Sequence, residues 1–175
     1  RRTHTIRFKL PTRIAVDGQE LTGVSVNQVR FMPSLGGGPV NTADYSPIFW
    51  AEAPIIDLGP RGFLFSLLQP PMGYRTERAF NVFRPNAYLL QRLPLQDLDL
   101  SDLGPLYEQV GDLEGEFELR PQELPVLLRF RDASDPLTAE VIEHSELARA
   151  LGGRARFLGG ALSITRQPLT RTIER

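Results

Sequence analysis

For acid–base work near neutral pH this chain has only two histidines, His4 and His144. His144 adjoins Ser145, but consecutive side chains diverge, and no G-x-S-x-G turn is present to raise a serine as a nucleophile. The pair reads instead as a helix start, with Ser145 or its neighbour closing the first turn. Cysteine is absent, which removes thiolate nucleophiles, thiolate metal sites and disulfides together.

Carboxylates are the remaining chemistry. Asp97, Asp99 and Asp102 lie close together, and Asp112, Glu114, Glu116 and Glu118 alternate soon after. A calcium loop gathers several such oxygens on a tight turn. Here Leu98 and Leu100 interleave with the first acids, and no glutamate closes a twelve-residue loop. Alternation with Leu113 and Phe117 describes a strand with a solvated acidic face. Two carboxylates could share acid–base hydrolysis, but a chain with 21 acids offers many pairs, and only convergence in a pocket would select one. Gly36-Gly37-Gly38 would cradle a phosphate only ahead of a helix N-terminus; Pro39-Val40-Asn41 follows, so the triplet reads as a flexible loop. No catalytic, cofactor-binding or metal-ligating residue is assigned, and no cofactor is expected.

The cations are nearly all arginine, Lys9 being the only lysine. A GC-rich coding bias accounts for that. Selection for forked carboxylate donors is the alternative, and it requires arginines clustered in space. The formal charge of -1 gives no general attraction to polyphosphate, so no nucleic-acid partner is expected. Trp50 and the phenylalanines fall at strand spacing among aliphatic residues and read first as core.

The elements that would position these residues are mostly strands. Ile6, Phe8, Leu10, Ile14 and Val16 alternate with Thr3, Thr5, Arg7, Lys9 and Arg13, the period of a strand with one buried face. Pro11 predicts an edge position or a bulge. Asp17-Gly18 predicts a two-residue hairpin turn, and the return strand runs from Glu20 to Phe31. Its apolar phase slips from Val24 and Val26 to Val29 and Phe31, predicting a bulge near Asn27-Gln28. Met32 to Ser46 reads as a loop and Ile48 to Leu68 as a second β-rich unit, its last run buried on both sides. Arg75 to Phe83 is open between helix and strand, and Ser101 to Val110 reads as a short helix. Val126 to Phe130 and Thr138 to Ile142 are strands around a turn at Asp132 to Pro136. A helix follows from Glu143 to Leu151, with Leu147, Ala148 and Leu151 on one side and Gly152-Gly153 ending it. Arg154 to Thr165 is a long strand with a bulge at Gly159-Gly160. There is no repeat and no linker, so residues 1–175 are expected to form a single globular domain. Strand runs without a βαβ rhythm predict an α+β fold of mainly antiparallel sheet, sandwich-like or a partly closed barrel, with two or three short helices.

Several stretches carry a resemblance: Gly23-Val24-Ser25-Val26 in the opening hairpin, Leu128 to Asp132, Asp135-Pro136, Glu140-Val141-Ile142, Ser163-Ile164-Thr165, and Pro168 to Glu174. Over roughly the first thirty and last fifty residues, the chain resembles a proteobacterial family of N-terminally anchored or secreted β-rich domains with no established activity. The resemblance implies a periplasmic domain held near the inner membrane, and transfers no site residue. The opening Arg1-Arg2-Thr3, without an initiator Met, leads us to expect that an anchor, signal peptide or tag once preceded it. No apolar run approaches the ~20 residues that span a bilayer, so membrane association is expected only through such a segment. The expected function is a non-enzymatic module binding a protein partner, alone or within a membrane complex. The alternatives are a hydrolase with paired carboxylates, with or without a metal, and a binder of small apolar ligands.

Overall fold

A computed structural model describes residues 3–33, 45–67, 109, 112–119 and 124–172. In chain order the strands are β1 (His4–Val16), β2 (Gln19–Pro33), β3 (Tyr45–Trp50), β4 (Ile55–Asp57), β5 (Phe63–Leu67), β6 (Glu116–Glu118), β7 (Val126–Phe130), β8 (Ala139–Ile142), β9 (Ala155–Phe157) and β10 (Ala161–Ile164). A single short helix, α1 (Leu147–Leu151), joins them among the described residues, with 3-10 turns at Gly59–Arg61, Pro136–Thr138 and His144–Glu146. The expectations for Arg75 to Phe83, for Gly36 to Gly38, for Asp97, Asp99 and Asp102, and (apart from Gln109) for Ser101 to Val110 lie outside the described residues. No described helix is long and apolar enough to cross a membrane.

The hairpin forms as its sequence requires. Asp17 and Gly18 take φ of 51° and 85°, the turn geometry that matches strand twist. Pairing then runs without a break from Val16 opposite Gln19 to His4 opposite Phe31. The bulge expected at Asn27-Gln28 is therefore absent. The phase slip has another cause: the odd residues of β2 face inward throughout, and Gly23, Ser25 and Asn27 are simply the non-apolar members of that row before Val29 and Phe31. Val24 points outward and is exposed. Val26 also points outward but is buried, under the C-terminal segment described below.

Every even residue of β1 from Ile6 to Val16 is buried. Pro11 lies not at an edge but inside the sheet, since β2 pairs with one side of β1 while β9 and β10 share the other. On that shared side the carbonyls of Arg7 and Arg13 accept from Thr165 and Leu158, so odd residues turn their backbone groups toward it. Pro11 has no N–H to offer there, and it falls between the stretch paired with β10 (Phe8, Lys9) and the stretch paired with β9 (Ile14 to Val16). The register advances by one residue between the two, and Gly159, at φ 90°, takes up the extra residue. The bulge predicted at Gly159-Gly160 is thus present, facing Pro11, and it divides the expected long strand in two.

The larger sheet has the order β3-β2-β1-β10-β6 with β9 also on β1, and the smaller has the order β4-β5-β7-β8, all neighbours antiparallel. Among the described residues neither closes into a barrel. The smaller sheet and α1 cover the turn end of the hairpin, where Ile14, Val16, Ile56, Leu64, Leu127, Ile142, Leu147 and Leu151 form one core. A second core holds Ile6, Phe8, Val29, Phe31 and Leu162 toward the open end, with Phe49 and Phe117 packed against it. Between them runs a polar seam. Thr12 hydrogen-bonds Ser66, Asn27 Nδ2 donates to Ser25 Oγ at 3.1 Å, and Glu52 N–H donates to Asn27 Oδ1 at 3.0 Å. At the same level a Cβ on Gly23 would lie 2.5 Å from the Ile55 carbonyl oxygen, so only glycine lets β4 approach β2 so closely.

The C-terminal helical segment differs in detail from expectation. A 3-10 turn over His144–Glu146 leads into α1, and neither carries a side-chain N-cap, so Ser145 does not close a first turn. Leu147 and Leu151 are buried as expected, but Ala148 faces solvent and Ala150 packs on the core in its place.

Candidate partner-binding face

The outer face of the larger sheet is set by the same hairpin register. On β2 it presents Gln28, Arg30 and Met32; on β3 the residues opposite are Trp50, Ile48 and Ser46. Ile48 therefore sits directly across from Arg30, with Trp50 and Met32 diagonal to this pair, within reach for long side chains. Met32 and Ile48 are each 40% exposed and Trp50 is 37% exposed. The Arg30 guanidinium lies 5.0 Å from the Trp50 ring centroid, a cation–π distance. Among the described residues β3 is the outermost strand of its sheet.

One strand inward, Arg7 stands opposite Gln28, and its Nε donates to Gln28 Oε1 at 2.9 Å. Lys9 follows on the same face, opposite Val26. Arg13, Arg61, Arg129, Arg131, Arg149 and Arg166 each reach a carboxylate. No described carboxylate pairs with Arg7, Lys9 or Arg30.

The C-terminal segment bounds this face. Thr165 N–H donates to the Arg7 carbonyl, and Arg7 Nη1 donates to the Gln167 carbonyl at 3.5 Å. The chain then crosses to the far side of β2. There Thr170 N–H donates to the Val26 carbonyl at 3.1 Å, and its hydroxyl accepts from Val26 N–H at 2.7 Å. Thr172 N–H finally donates to Glu52 at 2.7 Å. This strap satisfies β2 just where β3 stops, and it buries Val26 and Gln28.

The acids are placed differently. Glu116 and Glu118 are exposed on β6 while Phe117 turns toward the core, the solvated face that alternation describes. Asp112 and Glu114 line a groove of about 640 Å³ with Arg7 and Arg166, and Glu116 and Glu118 line one of about 430 Å³ with Arg13. Both grooves lie at the surface. Among the described residues no three His, Asp or Glu side chains gather as metal ligands. The described carboxylates whose pKa is displaced, Asp17, Asp132 and Glu140, move down, against what a general acid needs. The Arg61 hydrogen bond, then the Arg154 N–H, lower Asp17; the hydroxyl and N–H of Ser134 lower Asp132. Partial burial would raise Glu140, but Arg131 and Arg129 outweigh it and hold it below the usual glutamate range. His4 lies in β1 opposite Phe31, and His144 packs against Phe157 with ring centroids 4.5 Å apart. They are at separate places in the fold.

Sequence reading took Trp50 for core and left the arginines as a compositional bias. The signal that finds the face is the Asp17-Gly18 turn, because a two-residue loop fixes the register and so places Arg7, Lys9 and Arg30 on one side. No family model, no curated protein and no solved structure matches the chain.

Proposed function

We propose that this chain is a non-enzymatic protein-binding or accessory module, working on the periplasmic side of a bacterial inner membrane, and that its partner sits on the outer face of β2 and β3. The observation that carries this reading is the continuous run Trp50, Arg30, Ile48 and Met32, apolar and solvent-accessible on the outermost described strand pair. Tryptophan and arginine side by side, ringed by polar residues, are the composition that anchors protein interfaces. Leu137 is 93% exposed but stands alone in a 3-10 turn, as isolated surface apolar residues commonly do. The periplasmic placement follows from the family that the two ends of the chain resemble.

The test is photo-crosslinking in the intact host, with a crosslinking amino acid placed at position 48 or at position 137. We expect one protein, in stoichiometric amount, to be captured from position 48 and not from 137. Equal capture from both positions, or none from 48, would overturn the reading.

A further inference from the structure

We infer that the partner meets this face through an extended acidic segment, its apolar side chains on Trp50, Ile48 and Met32 and its carboxylates on Arg30 and Arg7. This rests on the face being a protein-binding surface and adds the chemistry of what binds there. The register supplies the argument. Arg30 is opposite Ile48 and diagonal to Trp50; Arg7, on the next strand, is diagonal to Arg30; beyond Arg7 the C-terminal segment crosses to Val26 and closes the face off from Lys9. Two cations thus border the apolar patch on one sheet face, in a chain whose formal charge is -1. Arg13, Arg61, Arg129, Arg131, Arg149 and Arg166 each have a carboxylate within ion-pair distance, and among the described residues Arg30 and Arg7 have none. An apolar occupant alone would strip water from them and leave the charges uncompensated; an occupant carrying carboxylates replaces that water. Stacking on Trp50 engages the π-face of the Arg30 guanidinium and leaves its in-plane N–H donors available for a carboxylate. Diagonal neighbours on adjacent strands stand about 7–8 Å apart, close to the two-residue repeat of an extended chain.

An anionic lipid surface offers the same charge, but insertion needs apolar tips that stand clear of the fold. Trp50, Ile48 and Met32 lie flat on the sheet, each more than half covered. The peptide is therefore the occupant these observations favour.

The experiment selects a display library of short random peptides on the wild-type chain, with counter-selection on Trp50→Ala. Affinities are then read from the fluorescence of Trp50, the only tryptophan. We expect the enriched peptides to alternate apolar residues with Asp or Glu and to weaken as salt rises. Arg30→Gln should reduce their affinity about tenfold, the scale of one charge-assisted contact. Enriched peptides without acids, affinity unchanged in Arg30→Gln, no enrichment, or a response to phosphatidylglycerol vesicles alone would each overturn the inference. If position 48 still captures a protein partner, only the acidic chemistry falls; if both experiments fail, the face itself is not the binding surface.

Discussion

At the turn end of the β1–β2 hairpin, Arg61 reaches Asp17 at 2.7 Å and Arg13 reaches Glu20 at 2.7 Å. Beneath them Arg129 donates to Glu140, to the Ala150 carbonyl and to the Arg61 carbonyl. At the open end Arg30 rests on Trp50 with no described acid paired to it, and Met32 and Ile48 are partly exposed. The strands are the same, so the difference lies in what is laid on them. A second sheet and a helix close one end and use arginine to join backbone segments. The other end keeps arginine on an uncovered outer face, where it is accessible to another molecule.

The comparison is sharpest when arginine is removed from each end. Arg129→Ala should cost about 3 kcal/mol, because two carbonyls lose their donor and Glu140 keeps only Arg131, at a site where the arginine is largely buried. Urea denaturation measures it, and a loss under about 1 kcal/mol would show that the turn end is not held this way.

Acid should act on the turn end next. Asp17, Asp132 and Glu140 have lowered pKa values in the fold. Their contribution is therefore present above the ordinary carboxylate range and is lost as pH falls through the lowered folded values. The urea midpoint should fall as the solution is taken from neutral into that range, and Glu140→Gln should flatten the profile. An identical slope in Glu140→Gln would remove Glu140 from the explanation.

The smallest effects belong to the open end. Arg30→Ala should change stability by no more than about 1 kcal/mol, since its side chain belongs to neither core. A loss in urea as large as that of Arg129→Ala would mean the face is structural and not a surface kept for contact.

Much of the fold was legible because β1 alternates so strictly and because Asp17-Gly18 specifies its turn. The bulge at Gly159-Gly160 was legible as well. The bulge placed at Asn27 was not, because period two reports which residues share a face and not which face is inside. Ser25 and Asn27 are polar and fully inside, serving the seam between two cores. At Pro11 the edge alternative failed and the bulge alternative held on the partner strand: its missing N–H faces the gap in pairing at Gly159, made by residues far along the chain. Trp50 read as core because spacing carries no information about whether a strand has a neighbour. The helix at Glu143 to Leu151 was foreseen in place but not in its cap, since Ser145 competes with a 3-10 turn whose bonds are all backbone.

The second side of β1 is filled by residues 155–164, and the edge of β2 at Val26 by Thr170. A chain made from its N-terminus therefore completes its longest hairpin well before the segments that flank it have been synthesised. Such distant pairing raises contact order and slows folding. In the interval the free side of β1, and the edge of β2 around Val26, are open templates for strands of other chains. Truncation just before residue 155 should therefore yield not a smaller version of this domain but a chain prone to self-association.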